Sequence, residues 1–179
     1  MDNDIKKWYI WGTIFTIVIG TLLHFVYEWS GNNAFVGIFG AVNESTWEHL
    51  KLLFWPSFMF SIVEYKCIGK DYNNYITAKA VSFYVGILLI ISLFYTYTGI
   101  IGENFLVMDI SIFIVSVFIS QYIGYKITVS DYTVSKKANV ISLIAIAFLV
   151  LAFIVFTFNP PQIPLFQDPI TGGYGIYIV

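Results

Sequence analysis

The residues most able to do chemistry are two histidines and the acids beside them. His24 and Glu28 stand four apart, so on one continuous helix they share a face with Cβ atoms about 6 Å apart. The segment Asn43-Glu-Ser-Thr-Trp-Glu-His49 brings Glu48 and His49, and the chain has no other histidine. His24, Glu28, Glu48 and His49 form a mixed nitrogen and oxygen donor set of the kind that zinc, manganese or iron can use. A His–Glu pair can also pass a proton. The competing reading is an interhelical hydrogen-bond network, each His paired with a Glu to lower the cost of placing either near hydrocarbon.

The accessory candidates each have a plainer role. Ser45 followed by Glu48 is a capping-box pattern that satisfies the first free N–H groups of a helix. Glu44 is most simply solvated, and Lys51 is the one cation nearby. Asp109 joins the cluster if its helix starts early and otherwise serves as an N-cap. Asp168, in Gln167-Asp-Pro-Ile-Thr-Gly-Gly173, is first a turn former, with a lid position over the site as the alternative.

The elements that hold these residues are set by composition. Of the 179 residues, 58% are hydrophobic and 11% charged, and the mean hydropathy is +0.78. A fold of this size exposes too much surface to bury that share of apolar side chain, so most of it faces lipid. Five stretches are long enough to cross a bilayer, 8–29, 46–65, 78–97, 109–126 and 138–158, and in hydrocarbon they must be helices. The chain is therefore expected to be a single all-α integral membrane domain over 1–179. On the first span Thr13, Thr16, Gly20, Thr21, His24 and Glu28 fall within one arc, which should face the bundle. The apolar run of this span is too long for a signal peptide and no small-residue cleavage site follows it. Pro56 should break the second span's bond to the Leu52 carbonyl.

All nine basic residues are Lys, and eight lie before span one, or in or at the very edge of the connections between spans two and three and between four and five. By the positive-inside rule those segments are cytoplasmic, giving an N-in, C-out protein of the cell membrane with both histidines at the outer face. The first outer loop carries the apolar, Gly-containing run 34–42, too short to span and expected to be re-entrant or interfacial. The outer tail, 159–179, holds four of the five prolines and should fold back over that surface. With a net charge of −2 and no Arg, nucleic acid is excluded as a natural partner. The lipid bilayer is the expected partner, and Gly12 and Gly20 allow oligomerisation. The lone Cys67 excludes an intrachain disulfide. The abundance of Ile, Asn, Lys and Tyr suggests a bacterial source and its cytoplasmic membrane.

The segments His24-Phe-Val-Tyr-Glu-Trp-Ser-Gly31, Val42-Asn-Glu-Ser-Thr-Trp-Glu-His-Leu-Lys51 and Pro164-Leu-Phe-Gln-Asp-Pro-Ile-Thr-Gly-Gly-Tyr-Gly-Ile176 resemble those of a family of small multispanning bacterial membrane proteins with no established activity. The resemblance implies an architecture and no mechanism. Three functions remain open on the residues alone. One is a membrane-embedded hydrolase using a divalent transition metal such as zinc or a His–Glu acid–base pair. The second is a component that binds or transports a cation or small solute. The third is a structural or sensory protein whose polar cluster only packs.

Overall fold

Apolar runs punctuated by Ser caps and Gly stops produce a helical bundle. The computed structural model describes residues 2–176 and contains, among them, seven α-helices. These are α1 Asp2–Leu23, α2 Val26–Trp29, α3 Ala34–Gly37, α4 Thr46–Cys67, α5 Tyr75–Ile101, α6 Leu106–Thr128 and α7 Lys136–Phe158, with 3-10 turns at Gly69–Asp71 and Pro164–Phe166. The Ser45 hydroxyl caps α4 and the Ser135 hydroxyl caps α7, each accepting from the N–H three residues on. Gly102, at φ 92°, ends α5 in the left-handed conformation that only Gly adopts freely. α4 ends at Cys67, a free and exposed thiol next to Lys66.

Three helices, α5, α6 and α7, are long and apolar enough to cross a membrane. Their outward faces are apolar as well. Ile141, Ile144, Phe148 and Leu151 follow one another along α7 and are all exposed. Water would penalise such a stripe, whereas acyl chains would not. A lipid bilayer is thus the environment these helices suggest.

α4 is the centre of the bundle, packed against α1 on one side and α5 on the other, while α6 touches both α1 and α5 and α7 lies on α5. The core is aromatic. Phe54 of α4 contacts Phe83 of α5 and Phe153 of α7, at ring separations of 5.4 and 4.9 Å. Trp47 packs on Phe153 at 4.8 Å and on Phe166 of the tail at 4.7 Å. Where lipid is as apolar as the core, such contacts hold helices together by close packing rather than by expulsion of water.

Pro56 lies within α4 and cannot donate to the Leu52 carbonyl, as expected. That carbonyl faces Gly20 of α1 so closely that a Cβ built there would lie 2.3 Å from its oxygen. The proline therefore leaves a carbonyl free at the point where the glycine lets α1 approach α4.

The expected first span is not one continuous helix. α1 stops at Leu23, whose carbonyl accepts from Ala41 N at 3.3 Å, and Phe25 N reaches back only to Leu22 O in a tightened turn. The incoming 34–42 run thus takes the carbonyl that a longer helix would have used. This run forms α3 and a turn folded over the start of α4. The tail also returns there. Asn43 Nδ2 donates to Gly175 O at 3.1 Å and Ile176 N to Thr157 O at 3.0 Å. The last three residues of the expected 159–179 tail lie outside the described residues.

Candidate functional site

The break after Leu23 and the cap at Ser45 together decide which side chains meet. His24 sits in the turn between α1 and α2, and His49 projects from the first turn of α4. Glu44 stands just ahead of the cap. Asn43 Oδ1 accepts from Ser45 N at 2.9 Å, closing a short side-chain turn that throws the intervening Glu44 outward.

These three residues converge. His24 Nε2 lies 3.2 Å from His49 Nε2, and Glu44 Oε2 lies 3.7 Å from the first and 3.4 Å from the second. The site is open on one side, with Glu44 exposed and both rings part-buried. His24 and then His49, beside Glu44, hold its carboxyl well below the usual carboxylate range.

The tautomer of His49 follows from its other nitrogen. Nδ1 lies 2.9 Å from Ser45 O, and a carbonyl can only accept, so Nδ1 carries the proton. In the neutral ring Nε2 then presents a lone pair to His24 and Glu44. This is the arrangement by which metal-binding imidazoles are oriented through a backbone carbonyl. Three atoms at these separations also have the right size. Separations of 3.2 to 3.7 Å are those expected between donor atoms that would share one divalent cation of the size of zinc.

The other expected site residues lie elsewhere. Glu28 is exposed on α2 and makes no side-chain hydrogen bond or ion pair among the described residues. It shares no helix with His24, because α1 has already ended. Glu48 is buried and turned away from His49. Its Oε2 accepts from Lys51 Nζ at 2.5 Å and from Val42 N at 3.0 Å. Lys51, fully buried, also donates to Gly37 O at 2.8 Å and Gly40 O at 3.4 Å. The pair therefore ties the 34–42 run down onto α4. Only half of the expected capping box forms, since the Glu48 carboxylate does not return to Ser45 N.

Asp109 is neither cap nor cluster member. α6 begins after Phe105, and Asp109 in its first turn accepts from Tyr97 Oη and from Asn104 Nδ2. Asp168 is the turn former of the first reading. Its carboxylate accepts from Ile170 N at 3.0 Å and Thr171 Oγ1 at 2.6 Å, bonds that hold it inside the tail. Glu44 is the residue that spacing alone undervalued, and the Asn-Glu-Ser turn is the signal that marks it.

Over residues 1–176 the chain matches, and belongs to, a family of unknown function (DUF6512). No curated protein and no solved structure matches it.

Proposed function

We propose that the chain is a metal-dependent membrane protein in which His24, Glu44 and His49 hold a divalent transition metal, most simply zinc, at the outer membrane surface. α1 and α4 join α5, α6 and α7 as membrane spans, giving five with the N-terminus in the cytoplasm. The Lys-rich connections support that orientation, and the ionic groups of α4 that face the interior are paired there.

The observation that carries the reading is the triangle of donor atoms, with His49 oriented by the Ser45 carbonyl. Two His and one Glu with a fourth position free is a donor set that zinc hydrolases use. A metal held there by His24, Glu44 and His49 would supply Lewis-acid activation of water near neutral pH. The exposure of Glu44 suits hydrolysis of a lipid-linked or extracytoplasmic substrate. The tail and the 34–42 run flank the site without covering Glu44.

One observation favours the second reading, a component that binds or carries a cation or solute. Thr16, Ser57 and Gln121 form a buried polar row between α1, α4 and α6, with Oγ1···Oγ at 2.9 Å and Nε2···Oγ at 3.3 Å. Such a row inside a membrane bundle is a feature of solute pathways.

Elemental analysis after mild detergent extraction without chelator separates these. About one equivalent of transition metal per chain is expected, lost in His24→Ala and His49→Ala and reduced in Glu44→Gln. A metal-free wild type that also fails to take up zinc on titration ends the metal reading. Solute-dependent thermal stabilisation without hydrolysis would move the assignment to a binding component.

A further inference from the structure

Along α1, Asp4, Trp8, Trp11, Phe15 and Val18 recur at steps of four and three, so they share one face. The small residues of this helix are turned the other way, with Gly12, Thr13, Thr16 and Gly20 buried against the bundle. Gly12 shapes the edge between the two. A Cβ there would lie 3.0 Å from the Phe60 ring of α4, so its absence lets that ring rest against the α1 backbone, with Trp8 at 5.8 Å and Phe15 at 5.3 Å. A groove of about 670 Å³ runs beside the ring, bounded also by Trp11, Ile14 and Val18, with Asp4 and Lys7 at one end. Trp11, Ile14 and Val18 are 62%, 45% and 52% exposed, so the groove opens outward rather than into the bundle.

The length of the groove is that of one leaflet. From Trp8 to Ile19 α1 rises about 17 Å, roughly half of the hydrocarbon core. A helix from another chain is the wrong shape for it. Helices associate in lipid where small residues let backbones approach, and this face carries two tryptophans and a phenylalanine. A flexible acyl chain can lie between such side chains. The charged end then selects the head. Lys7 reaches Asp4 at 3.4 Å, but both side chains are largely exposed and such a pair is worth little, so the ammonium can move to a stronger acceptor. A phosphate is that acceptor. α4 runs antiparallel to α1, with His24 against His49 at one end and Trp8 against Phe60 toward the other, so Lys66 lies at the same end as Lys6 and Lys7, and all three are exposed. They outnumber Asp2 and Asp4 of the first turn of α1, which favours a head of net negative charge.

We propose that this groove binds one anionic phospholipid of the Lys-rich leaflet, with an acyl chain lying along α1 over Phe60 and the phosphate on Lys7. Trp8 and Trp11 then sit where aromatic rings mark the membrane surface. The inference rests on the proposed passage of α1 through the membrane, which the sidedness of Cys67 tests separately, and it uses nothing of the metal centre.

Native mass spectrometry of the full-length protein, delipidated in a non-ionic detergent and titrated with phosphatidylglycerol or phosphatidylcholine, tests it. One phosphatidylglycerol per chain should bind ahead of any further lipid, and about five-fold more tightly than phosphatidylcholine, the preference that one interfacial lysine confers. Lys7→Gln should abolish that preference, whereas Lys70→Gln, also exposed but outside the groove, should keep it. Ile14→Trp fills the groove from its exposed rim and should weaken the first lipid by about ten-fold or more, with thermal unfolding in detergent as the check on folding. Where Ile14→Trp does not fold, Trp11→Ala serves, since it removes a wall. Lipids that add in statistical steps, unmoved by Ile14→Trp or Trp11→Ala, are annular only and overturn the proposal. A wild-type dimer that is lost in Ile14→Trp overturns it as well, because the face would then belong to a second copy of the chain.

Discussion

A single methyl group at Gly20 tests how the helix pair builds the donor triangle. In Gly20→Ala the new Cβ would meet Leu52 O at 2.3 Å and Phe113 Cζ at 2.9 Å, where ordinary contact begins at 3.4 Å. The phenylalanine ring can turn aside, but the carbonyl is backbone and cannot. α1 must therefore move from α4 by about 1 Å, an overpacking that costs about 1–3 kcal/mol. His24 follows directly on the last residue of α1, four positions after Gly20, and His49 lies one turn back along α4 from Leu52. The same movement thus opens the 3.2 Å separation of the two Nε2 atoms to about 4 Å. Zinc affinity should fall by about 10–100-fold although no ligand is altered, as when a ligand-orienting contact is lost. Competition with a chromophoric chelator gives the affinity, and thermal unfolding in detergent gives the stability. Gly12→Ala is the matched control, since its Cβ meets only the side chain of Phe60 at 3.0 Å. If Gly20→Ala binds zinc as tightly as Gly12→Ala and wild type, the close approach of α1 and α4 does not set the site.

Two further outcomes follow from the charges. Glu44 is held low in the folded state, so its stabilising contribution is complete above the unfolded carboxylate range, near about pH 4.3, and is lost as pH falls below it. In metal-free protein the Tm advantage of wild type over Glu44→Gln should therefore hold down to about pH 4.5 and shrink between about pH 4 and pH 2, and a difference that stays constant through that lower range would contradict the assignment. Lys51→Met leaves the Glu48 carboxylate buried alone and should destabilise by about 3–5 kcal/mol in denaturant unfolding. Adding Glu48→Gln should recover part of that loss, and a Lys51→Met protein as stable as wild type would show that the pair does not lock the 34–42 run.

The helices were legible because apolar runs of this length allow little else: 46–65, 78–97, 109–126 and 138–158 each lie on one helix, whereas 8–29 is divided between α1 and α2. Their ends were less so. Nothing local in His24-Phe-Val-Tyr-Glu28 announces a break, since the competitor for the Leu23 carbonyl is Ala41, eighteen positions on. That contact separates Glu28 from His24, which the four-residue spacing would otherwise have paired. Glu48 has the residue type and spacing of a ligand, but a buried lysine three positions later claims it, and burial cannot be read from spacing. Both histidines were legible at one end of the bundle because hydropathy places the ends of spans well. Glu44 was legible only through the conformation of Asn43 and Ser45, that is, through the turn rather than the helix.

Cys67 gives the chain one chemical handle of its own. It is the only thiol, it is exposed, and it lies at the end of the helix that carries His49. A membrane-impermeant maleimide would therefore report sidedness on the native sequence, with no residue added or removed. The same atom accepts a spin label or fluorophore, so movement of α4 on zinc addition can be followed from one point outside the donor triangle.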